Sequence, residues 1–356
     1  MTSELKPLWA RFRSSNPRVR IRDAARQLGT TEADLRAAGL GENTIRLSMS
    51  DRELGWGAMI EKLPTLGRVM ALTRNEYCVH ERRGKYCEVG IYGQMGSVVG
   101  PDIDLRIFLR AWKFGFAVME HNEDDSIRRS LQFFDEAGDS IHKVHLEQES
   151  NLSAFDAIVE EFRDQDQESP IITTPAEPGM AEKPDDEIDI EGFRARLKSL
   201  QDIHEFFGLL REFGIGRVQA LRLAGANFAK RVSSKVAYPL LQKAARNALP
   251  IMVFVGNHGM IQIHTGEVRK IVPGGKNEEW INVLDNDFNL HLWQPGVHEA
   301  WITRKPTRDG YVTSVELFDS TGEMIVQFFG KRKPASPELK EWRSLVAELE
   351  TGKTQT

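Results

Sequence analysis

The strongest constraint on the fold of this chain is an internal repeat, because its second half repeats the pattern of its first half. SLQFFDEAGDSIHKVHL at residues 130–146 aligns with SVELFDSTGEMIVQFFG at residues 314–330, with a common Phe-Asp pair and a common Gly at a constant offset of 184. Upstream, DIDLRIFL at residues 102–109 aligns with DNDFNLHL at residues 285–292 at an offset of 183. A spacing kept over this length indicates duplication of a whole domain rather than a short solenoid repeat.

The first half is predicted to begin with helices. Residues 21–28 and 31–38 have helical character on either side of a turn at Gly29, and Thr30 or Thr31 suits the N-cap position with acidic residues in the first turn. These two helices also have the outline of a DNA-binding helix-turn-helix. The second helix carries two acidic residues and one arginine, which is a poor charge balance for contact with the major groove.

The second half is predicted to begin with a longer helix. Residues 190–213 place apolar side chains at steps of three and four, and Gly214 would end this helix before a short one at residues 218–223. Short apolar runs separated by Gly, Asp and Asn turns follow in each half, as expected for antiparallel strands. The sequence therefore predicts an α+β fold of two tandem homologous domains, each with helices packed on an antiparallel sheet.

An acidic, proline-containing segment separates the two repeats. The chain has 356 residues, which is more than one typical core organises. Residues 164–189 are rich in Pro, Glu and Asp and lack aromatic residues, so we interpret them as an exposed linker. The predicted domains are residues 1–163 and 190–350.

Composition and missing motifs exclude several function classes. The net charge of −5 disfavours non-specific binding to nucleic acid, so no nucleic-acid partner is expected. The only cysteines, Cys78 and Cys87, form no CxxC pair and are interpreted as free thiols. Phosphate-binding, zinc-protease and serine-hydrolase motifs are missing. Neither an apolar leader nor a long apolar run is evident, so a cytoplasmic protein that is not embedded in a membrane is expected.

One histidine and several cations are candidate ligand-binding residues. His204 lies on the apolar stripe of the predicted helix 190–213, where an imidazole could be an axial ligand of heme iron or, more commonly, a buried structural histidine. Arg217 begins the next helix, and cations concentrate in ITRKPTRDG at residues 302–310 and GKRKP at residues 330–334, two segments expected to follow strands. Such cations could pair with heme propionates or lie in solvated turns.

Seven segments together carry a family resemblance. In the second half they are SLQDIHEFFGLLREFGIGRVQALRLAG, NDFNLHLW, AWITRKPTRDGYVTSVELFD and FFGKRKP, and in the first half NPRVRIRDAARQLG, TRNEYCVHERRGKY and DLRIFLRAW. In these segments, which span nearly the whole chain, it resembles the bacterial hemin-uptake proteins known as hemin-degrading factors or cytoplasmic heme-trafficking proteins.

The resemblance implies heme as the ligand and a role for five residues. His204 would be the proximal ligand of the iron, and Arg106 would approach the distal face of the heme from the first half. Arg217, Lys305 and Arg332 match positions around the heme and its propionates. His80 or His291 could provide a subsidiary site, although His291 lies in an alternating strand where a structural role is expected.

Two functions follow from the resemblance. The first is a heme carrier for iron acquisition, which would receive imported heme from an inner-membrane heme ABC transporter and pass it to a heme oxygenase or reductase. The second is an oxidative heme-degrading enzyme like heme oxygenase, in which Arg106 would stabilise the attacking oxygen species by hydrogen bonding. No flavin or nicotinamide motif is present, so electrons would have to come from elsewhere. The sequence does not decide between these functions, and a helix-turn-helix regulator is the remote alternative.

Overall fold

The computed structural model describes residues 2–49, 55–122, 124–176, 182–332 and 337–351. The chain forms two compact units. The first unit contains Met1–Arg74, Glu81–Glu177 and Asn257–Gln262, and the second contains Asn75–His80, Pro178–Gly256 and Ile263–Thr356.

The first unit combines helices with antiparallel strands. Its helices are α1 (Thr2–Ser15), α2 (Ile21–Leu28), α3 (Glu32–Ala37), α4 (Gly57–Ile60) and α5 (Leu152–Glu161). Its strands are β1 (Thr44–Leu47), β2 (Arg68–Arg74), β3 (Cys78–Lys85, of which residues 78–80 belong to the second unit), β4 (Val89–Tyr92), β5 (Met95–Val99), β6 (Asp104–Phe108), β7 (Phe114–His121), β8 (Ile127–Phe134) and β9 (Ser140–Leu146). Five strands pair antiparallel in the order β1-β7-β8-β9-β2, and β4, β5 and β6 form a separate meander.

The second unit has the same plan. Its helices are α6 (Ile190–Lys198), α7 (Glu205–Phe213), α8 (Arg217–Ala224), α9 (Ala237–Arg246) and α10 (Lys340–Glu350). Its strands are β10 (Ala229–Val232), β11 (Ile251–Gly256), β12 (Met260–Gly266, of which residues 260–262 belong to the first unit), β13 (Ile271–Gly274), β14 (Trp280–Leu284), β15 (Phe288–Trp293), β16 (Glu299–Thr307), β17 (Gly310–Phe318) and β18 (Met324–Gly330). The order β10-β16-β17-β18-β11 repeats that of the first unit, and β13, β14 and β15 form the meander.

The repeated order confirms the predicted α+β fold of two tandem homologous domains. The aligned segments 130–146 and 314–330 form the hairpins β8–β9 and β17–β18, as the sequence predicted. Each hairpin also has an irregularity in register at its turn-proximal Phe, at Phe134 and Phe318. The repeat therefore extends to a local detail of strand pairing.

Each unit also takes in a short segment from the other half of the chain, and an asparagine anchors each of these segments. In the second unit, Asn75 donates its amide hydrogens to the carbonyl oxygens of Gly256 at 3.1 Å and Ile325 at 2.8 Å. In the first unit, Asn257 donates to the carbonyl oxygens of Arg74 and Ile141, both at 2.9 Å. Each asparagine amide thus supplies a hydrogen-bond donor to backbone carbonyl oxygens at a point where the chain passes from one unit to the other.

Helix ends follow local sequence signals. Gly29 and Gly214 end α2 and α7 with positive φ angles of 65° and 62°, which glycine adopts without steric cost. Thr31 caps α3 by accepting a hydrogen bond from the backbone N–H of Asp34 at 3.1 Å, in a capping box. Both features were predicted from the sequence.

The α2–α3 pair belongs to the core of the first unit. Glu32 and Arg36 of α3 are 4% and 7% exposed, and Leu35 of the same helix is buried. Two of the three charges that weighed against a DNA-reading helix are therefore buried in the unit, whereas Asp34 takes part in the capping box of α3. The helix pair that suggested a helix-turn-helix has a structural role here.

The single helix predicted at residues 190–213 is wrong, because this segment forms two helices. α6 ends at Lys198, and its C-cap residue Ser199 donates both its backbone N–H and its hydroxyl hydrogen to the carbonyl oxygen of Arg196. α7 begins after an Asx turn in which Asp202 Oδ1 accepts a hydrogen bond from the backbone N–H of His204 at 2.8 Å. The polar side chains of Ser199 and Asp202 thus offer the backbone an alternative to a continuous helix.

The predicted linker at residues 164–189 stays a prediction, but its first part lies on the first unit. The backbone N–H of Thr174 donates to the carbonyl oxygen of Glu136 at 2.8 Å, and Ile171 packs against a cluster that includes Phe116 and Phe134. Residues 177–181 lie outside the described ranges. Among the helices of the described residues, none has the length and the apolar character needed to cross a membrane.

Candidate functional site

A cluster of charged side chains lies within the second unit, on the face of the β16–β17 hairpin that α6, α7 and α8 cover. Glu316 of β17 is fully buried and accepts hydrogen bonds from Lys305 Nζ at 2.7 Å and from Arg217 Nε at 2.9 Å. Thr303 and Ser314 also donate hydroxyl hydrogens to Glu316 Oε1, at 3.2 and 2.8 Å. We call Arg217, Thr303, Lys305, Ser314 and Glu316 the Glu316 cluster.

The Glu316 cluster has two cations, the buried Lys305 and the half-buried Arg217, for one carboxylate. Burial alone would raise the pKa of Glu316, but Arg217 and Lys305 outweigh it and hold the pKa far below its ordinary value. Burial lowers the pKa of Lys305, while Glu316 opposes this shift. Glu316 compensates only one of the two positive charges. Because the side chains of Arg217 and Lys305 are only 15% and 8% exposed, water screens the remaining positive charge poorly. The cluster is therefore a favourable place for a further anion.

Aromatic rings of α7 lie against these cations. The ring centroid of Phe206 is 4.9 Å from Lys305 Nζ and 5.5 Å from the guanidinium carbon of Arg217. The ring of Phe207 lies 5.6 Å from the same carbon, and Phe207 is 54% exposed. An exposed aromatic ring above a cation offers a flat apolar surface next to a positive charge.

His204 lies at the N-cap position of α7. Its side chain is 84% exposed, and its Nε2 is 4.0 Å from Asp202 Oδ1. The expectation that this imidazole faces an apolar pocket on a helical stripe is wrong, because the helix break at residues 199–204 moves His204 off the buried face. The buried-structural-histidine alternative fails for the same reason, and the imidazole is accessible to a ligand.

The remaining predicted cations have different surroundings. Lys305 lies within β16 rather than after a strand, so the prediction that the segment 302–310 follows a strand is wrong. Arg332 follows β18, is partly exposed and acts electrostatically on Glu338, which is outside the Glu316 cluster. In the first unit, Arg106 of β6 pairs with Asp104 and donates to the carbonyl oxygen of Leu105 at 3.0 Å, and its side chain is 42% exposed.

The histidines considered for a subsidiary site lie in the second unit. His291 of β15 shares a 2.7 Å hydrogen bond between its Nδ1 and Asn282 Oδ1 of β14, which fits the structural role expected for it. His80 is fully buried, and its ring centroid is 4.9 Å from that of Phe288. His264 stacks on the same Phe288 at 3.8 Å. Within the described ranges, no group of three or more His, Cys, Asp or Glu side chains could hold a metal ion.

Sequence reasoning missed Glu316, which organises the site. The only sequence signal for a functional role of Glu316 is that a glutamate stands in the alternating strand SVELF, and in the structure this position of β17 is buried. At the aligned position of the first unit, Gln132 accepts a hydrogen bond from Arg36 Nε at 3.1 Å. The two repeats thus place a polar acceptor for an arginine at the same point of the sheet, but only the second unit has a carboxylate there.

The fold and this site define a duplicated α+β protein whose second unit holds a buried, net-positive cluster beneath aromatic rings and near an accessible imidazole. The profile of the Haemin-degrading HemS.ChuX domain matches the chain twice, over residues 29–162 and 214–349. The chain therefore belongs to this family, which confirms the family predicted from its motifs.

Similar proteins extend over the full length of the chain. The hemin transport protein HmuS of Yersinia pestis is 35% identical over 350 residues, which cover 98% of both proteins. The crystal structure of holo-PhuS, a heme-binding protein from Pseudomonas aeruginosa, has a TM-score of 0.93 and 43% identity, covering 98% of this chain and 99% of that one. ChuS, an E. coli heme oxygenase, has a TM-score of 0.82 and 33% identity, covering 92% of this chain and 95% of that one.

Proposed function

We propose that this chain is a cytoplasmic heme-binding protein of bacterial hemin uptake, which receives imported heme and delivers it for iron release. The observation that carries the proposal is the Glu316 cluster, where the buried Lys305 and the half-buried Arg217 share one buried carboxylate. Heme is complementary to this site, since it has an iron that takes imidazole nitrogen, an apolar ring and two carboxylates. Full-length similarity to a heme-binding protein and to a hemin transport protein supports the proposal.

We propose His204 as the axial ligand of the iron. Within the described ranges, its exposed ring has only a long contact with Asp202, so it can turn to a ligand at little cost. The Asx turn fixes the backbone beneath it. A neutral imidazole binds iron through one ring nitrogen, and a nearby carboxylate increases the basicity of such a ligand.

The cations of the cluster have hydrogen-bonding capacity left for propionates. Among the described residues, Arg217 uses only Nε, which leaves the N–H groups of both Nη atoms for a carboxylate. Lys305 Nζ donates to Glu316 and to Thr303, which uses two of its three hydrogens. We propose that Arg217 and Lys305 receive one propionate, with Phe207 against the ring edge, and that Arg332 contributes more distant positive charge.

A hemin titration followed by absorbance tests this site. We expect saturable one-to-one binding by the full chain. His204→Ala should shift the Soret maximum and weaken binding by about tenfold or more, because the axial bond is lost. His258→Ala, at an exposed histidine of the first unit, is the matched control and should bind like the unaltered chain. An unchanged spectrum and affinity in His204→Ala would reject the assignment.

Oxidative degradation of heme is the second candidate function, and similarity to a heme oxygenase favours it. Bound heme supplies the redox chemistry in such a reaction, and the reductant comes from another protein. We propose that Arg106 donates hydrogen bonds on the distal side. Its competing partner Asp104 has its pKa raised by burial, although Arg106 opposes that shift. The Arg106 side chain is 42% exposed, so water screens its pair with Asp104 and a change of partner costs little.

Transfer and degradation are distinguished by following the Soret band of the hemin complex with a reductase, catalase and excess apomyoglobin. Transfer predicts that the band is preserved and moves to apomyoglobin, whereas degradation predicts that it is lost. Arg106→Ala should leave hemin capture unchanged and slow only the loss of the band. Arg110→Ala, at an exposed arginine just after β6, is the matched control.

A further inference from the structure

Positive charge is concentrated in one short stretch of the first unit. Residues 11–30 include six arginines and a single acidic residue, Asp23, which gives this stretch a formal charge of +5. The whole chain has a net charge of −5, so the rest of the chain carries −10. A local excess of this size within an acidic chain indicates a surface for an anionic partner.

Four of these arginines are exposed, and we call them the arginine patch: Arg11 of α1, Arg18 and Arg20 between α1 and α2, and Arg26 in the last turn of α2. Among the described residues, the side chains of Arg11, Arg18 and Arg20 form no hydrogen bond or ion pair. Lys6 of the same region, by contrast, pairs with Glu42 at 3.1 Å. Three positive charges of the patch are therefore available to a partner.

Packing keeps the arginine patch compact. Apolar residues from α1, from the turn and from α2 pack against one buried cluster: Leu5, Trp9, Phe12, Val19, Ile21 and Leu28. This packing holds the two helices and the turn together. Arg18 and Arg20 directly precede α2, so chain geometry keeps the Cα atoms of Arg18 and Arg26 within about 17 Å of each other. The patch can thus meet one surface at a time with several of its charges.

An exposed leucine lies beside the patch. Leu8 of α1 is 38% exposed and precedes Arg11 by three residues, which makes the two neighbours on the surface of the helix. Helices that lie in the headgroup region of a membrane combine cations with large apolar side chains in this way. The phosphate backbone of DNA offers no apolar partner to such a side chain.

The helices of this region also lack an element that could read a DNA groove. α3, which follows the turn at Gly29, buries Glu32, Leu35 and Arg36 in the first unit. Contacts of the arginine patch with DNA would therefore be limited to phosphates, which carry no sequence information. Together with the exposed Leu8, this favours a lipid surface over nucleic acid as the anionic partner.

We propose that the arginine patch docks the chain on the surface of an anionic phospholipid membrane, with its guanidinium groups at lipid phosphates and Leu8 in the headgroup region. Arginine donates two parallel hydrogen bonds to a phosphate, and each cation near an anionic bilayer strengthens binding about fivefold. The same bilayer repels the acidic remainder of the chain, which favours contact through the patch. This docking goes beyond the proposed function and does not depend on it.

Co-sedimentation of the full chain with vesicles tests the docking, and because no hemin is added the result is independent of the heme site. The chain should bind vesicles of equal parts phosphatidylglycerol and phosphatidylcholine, and it should bind vesicles of phosphatidylcholine alone about a hundredfold more weakly. Added sodium chloride should release it, since salt screens exposed charges. A random-sequence DNA duplex at the same phosphate concentration should not release it.

Two variants probe the two parts of the docking surface. Arg11→Gln, Arg18→Gln and Arg20→Gln combined should weaken binding to the anionic vesicles about a hundredfold. Leu8→Ala should weaken it about threefold, because less apolar surface enters the headgroup region. The triple variant changes only exposed positions, so its hemin titration should match that of the unaltered chain.

Arg246→Gln, Arg269→Gln and Arg343→Gln combined are the matched control, because they remove the same charge from exposed positions of the second unit. This control should bind the anionic vesicles like the unaltered chain. Four results would overturn the proposal. They are equal binding to the two kinds of vesicle, equal weakening in the two triple variants, release of the chain from vesicles by the duplex, and unaltered vesicle binding in Leu8→Ala.

Discussion

Replacing Glu316 by glutamine should strongly destabilise the second unit. Gln keeps the shape and one acceptor oxygen, but it removes the only carboxylate that compensates Arg217 and Lys305 in the Glu316 cluster. Glu316 is completely buried, so water cannot replace the lost charge. Breaking a buried ion pair from one side costs roughly 3–5 kcal/mol.

The size of this effect is measurable by thermal unfolding. For a unit of this size each kcal/mol changes the melting temperature by about 2–4 °C, so Glu316→Gln should lower the transition of the second unit by roughly 6–20 °C. The assay is differential scanning calorimetry of the full chain at pH 7 without hemin. The two units can unfold in separate transitions, and the measured quantity is the shift of the transition that the substitution affects.

Glu350→Gln is the matched control. Glu350 also faces two cations, Arg304 at 2.6 Å and Lys230 at 3.6 Å, but the side chains of these cations are 28% and 48% exposed. Water replaces the lost carboxylate there, so the cost should stay below about 1 kcal/mol. Equal shifts for Glu316→Gln and Glu350→Gln would refute the reasoning that burial, rather than the number of ion pairs, gives the Glu316 cluster its energy.

Three further outcomes are expected. Burial would raise the pKa of Glu120, but Arg36 and Arg128 hold this pKa at about 2. Glu120→Gln should therefore lower the free energy of unfolding in urea by about 3 kcal/mol at pH 7. The difference from the unaltered chain should shrink as the pH falls from 4.5 toward 2, because Glu120 then becomes protonated. Lys305→Met leaves the neutral Arg217–Glu316 pair, so hemin affinity should fall about tenfold with little loss of stability, measured by titration and calorimetry. Gly330→Ala places a Cβ 2.6 Å from the Trp342 ring and should lower the free energy of unfolding by roughly 1–3 kcal/mol. Gly208→Ala in α7 places a Cβ that meets nothing within 4 Å, so it should raise the free energy of unfolding by roughly 0.5–1 kcal/mol in the same assay.

Much of the local structure could be predicted because it depends on residues close together in sequence. The hairpins β8–β9 and β17–β18 follow from apolar runs on either side of a turn in which a Gly comes three residues after an Asp. Gly29 and Gly214 end helices because glycine has no Cβ to oppose a positive φ. The break between α6 and α7 was missed, although Ser199 and Asp202 are both residues that bond to nearby backbone, because apolar periodicity continued across it.

The candidate site was predicted only in part. The motifs placed Arg217 and Lys305 near heme through the family resemblance, and the structure brings these two together at Glu316. The partner itself was missed, since Arg217 and Glu316 are 99 residues apart and no local pattern links them.

The sequence by itself determined the duplication, the α+β class, the family and the ends of several helices, since these depend on pattern and on local backbone preference. Only the tertiary structure decided which charges are buried together and that His204 is exposed. The physical reason is that burial and pairing are properties of surroundings. They depend on which distant strands and helices pack around a side chain, and the same residue is a solvated charge in one place and half of a buried pair in another.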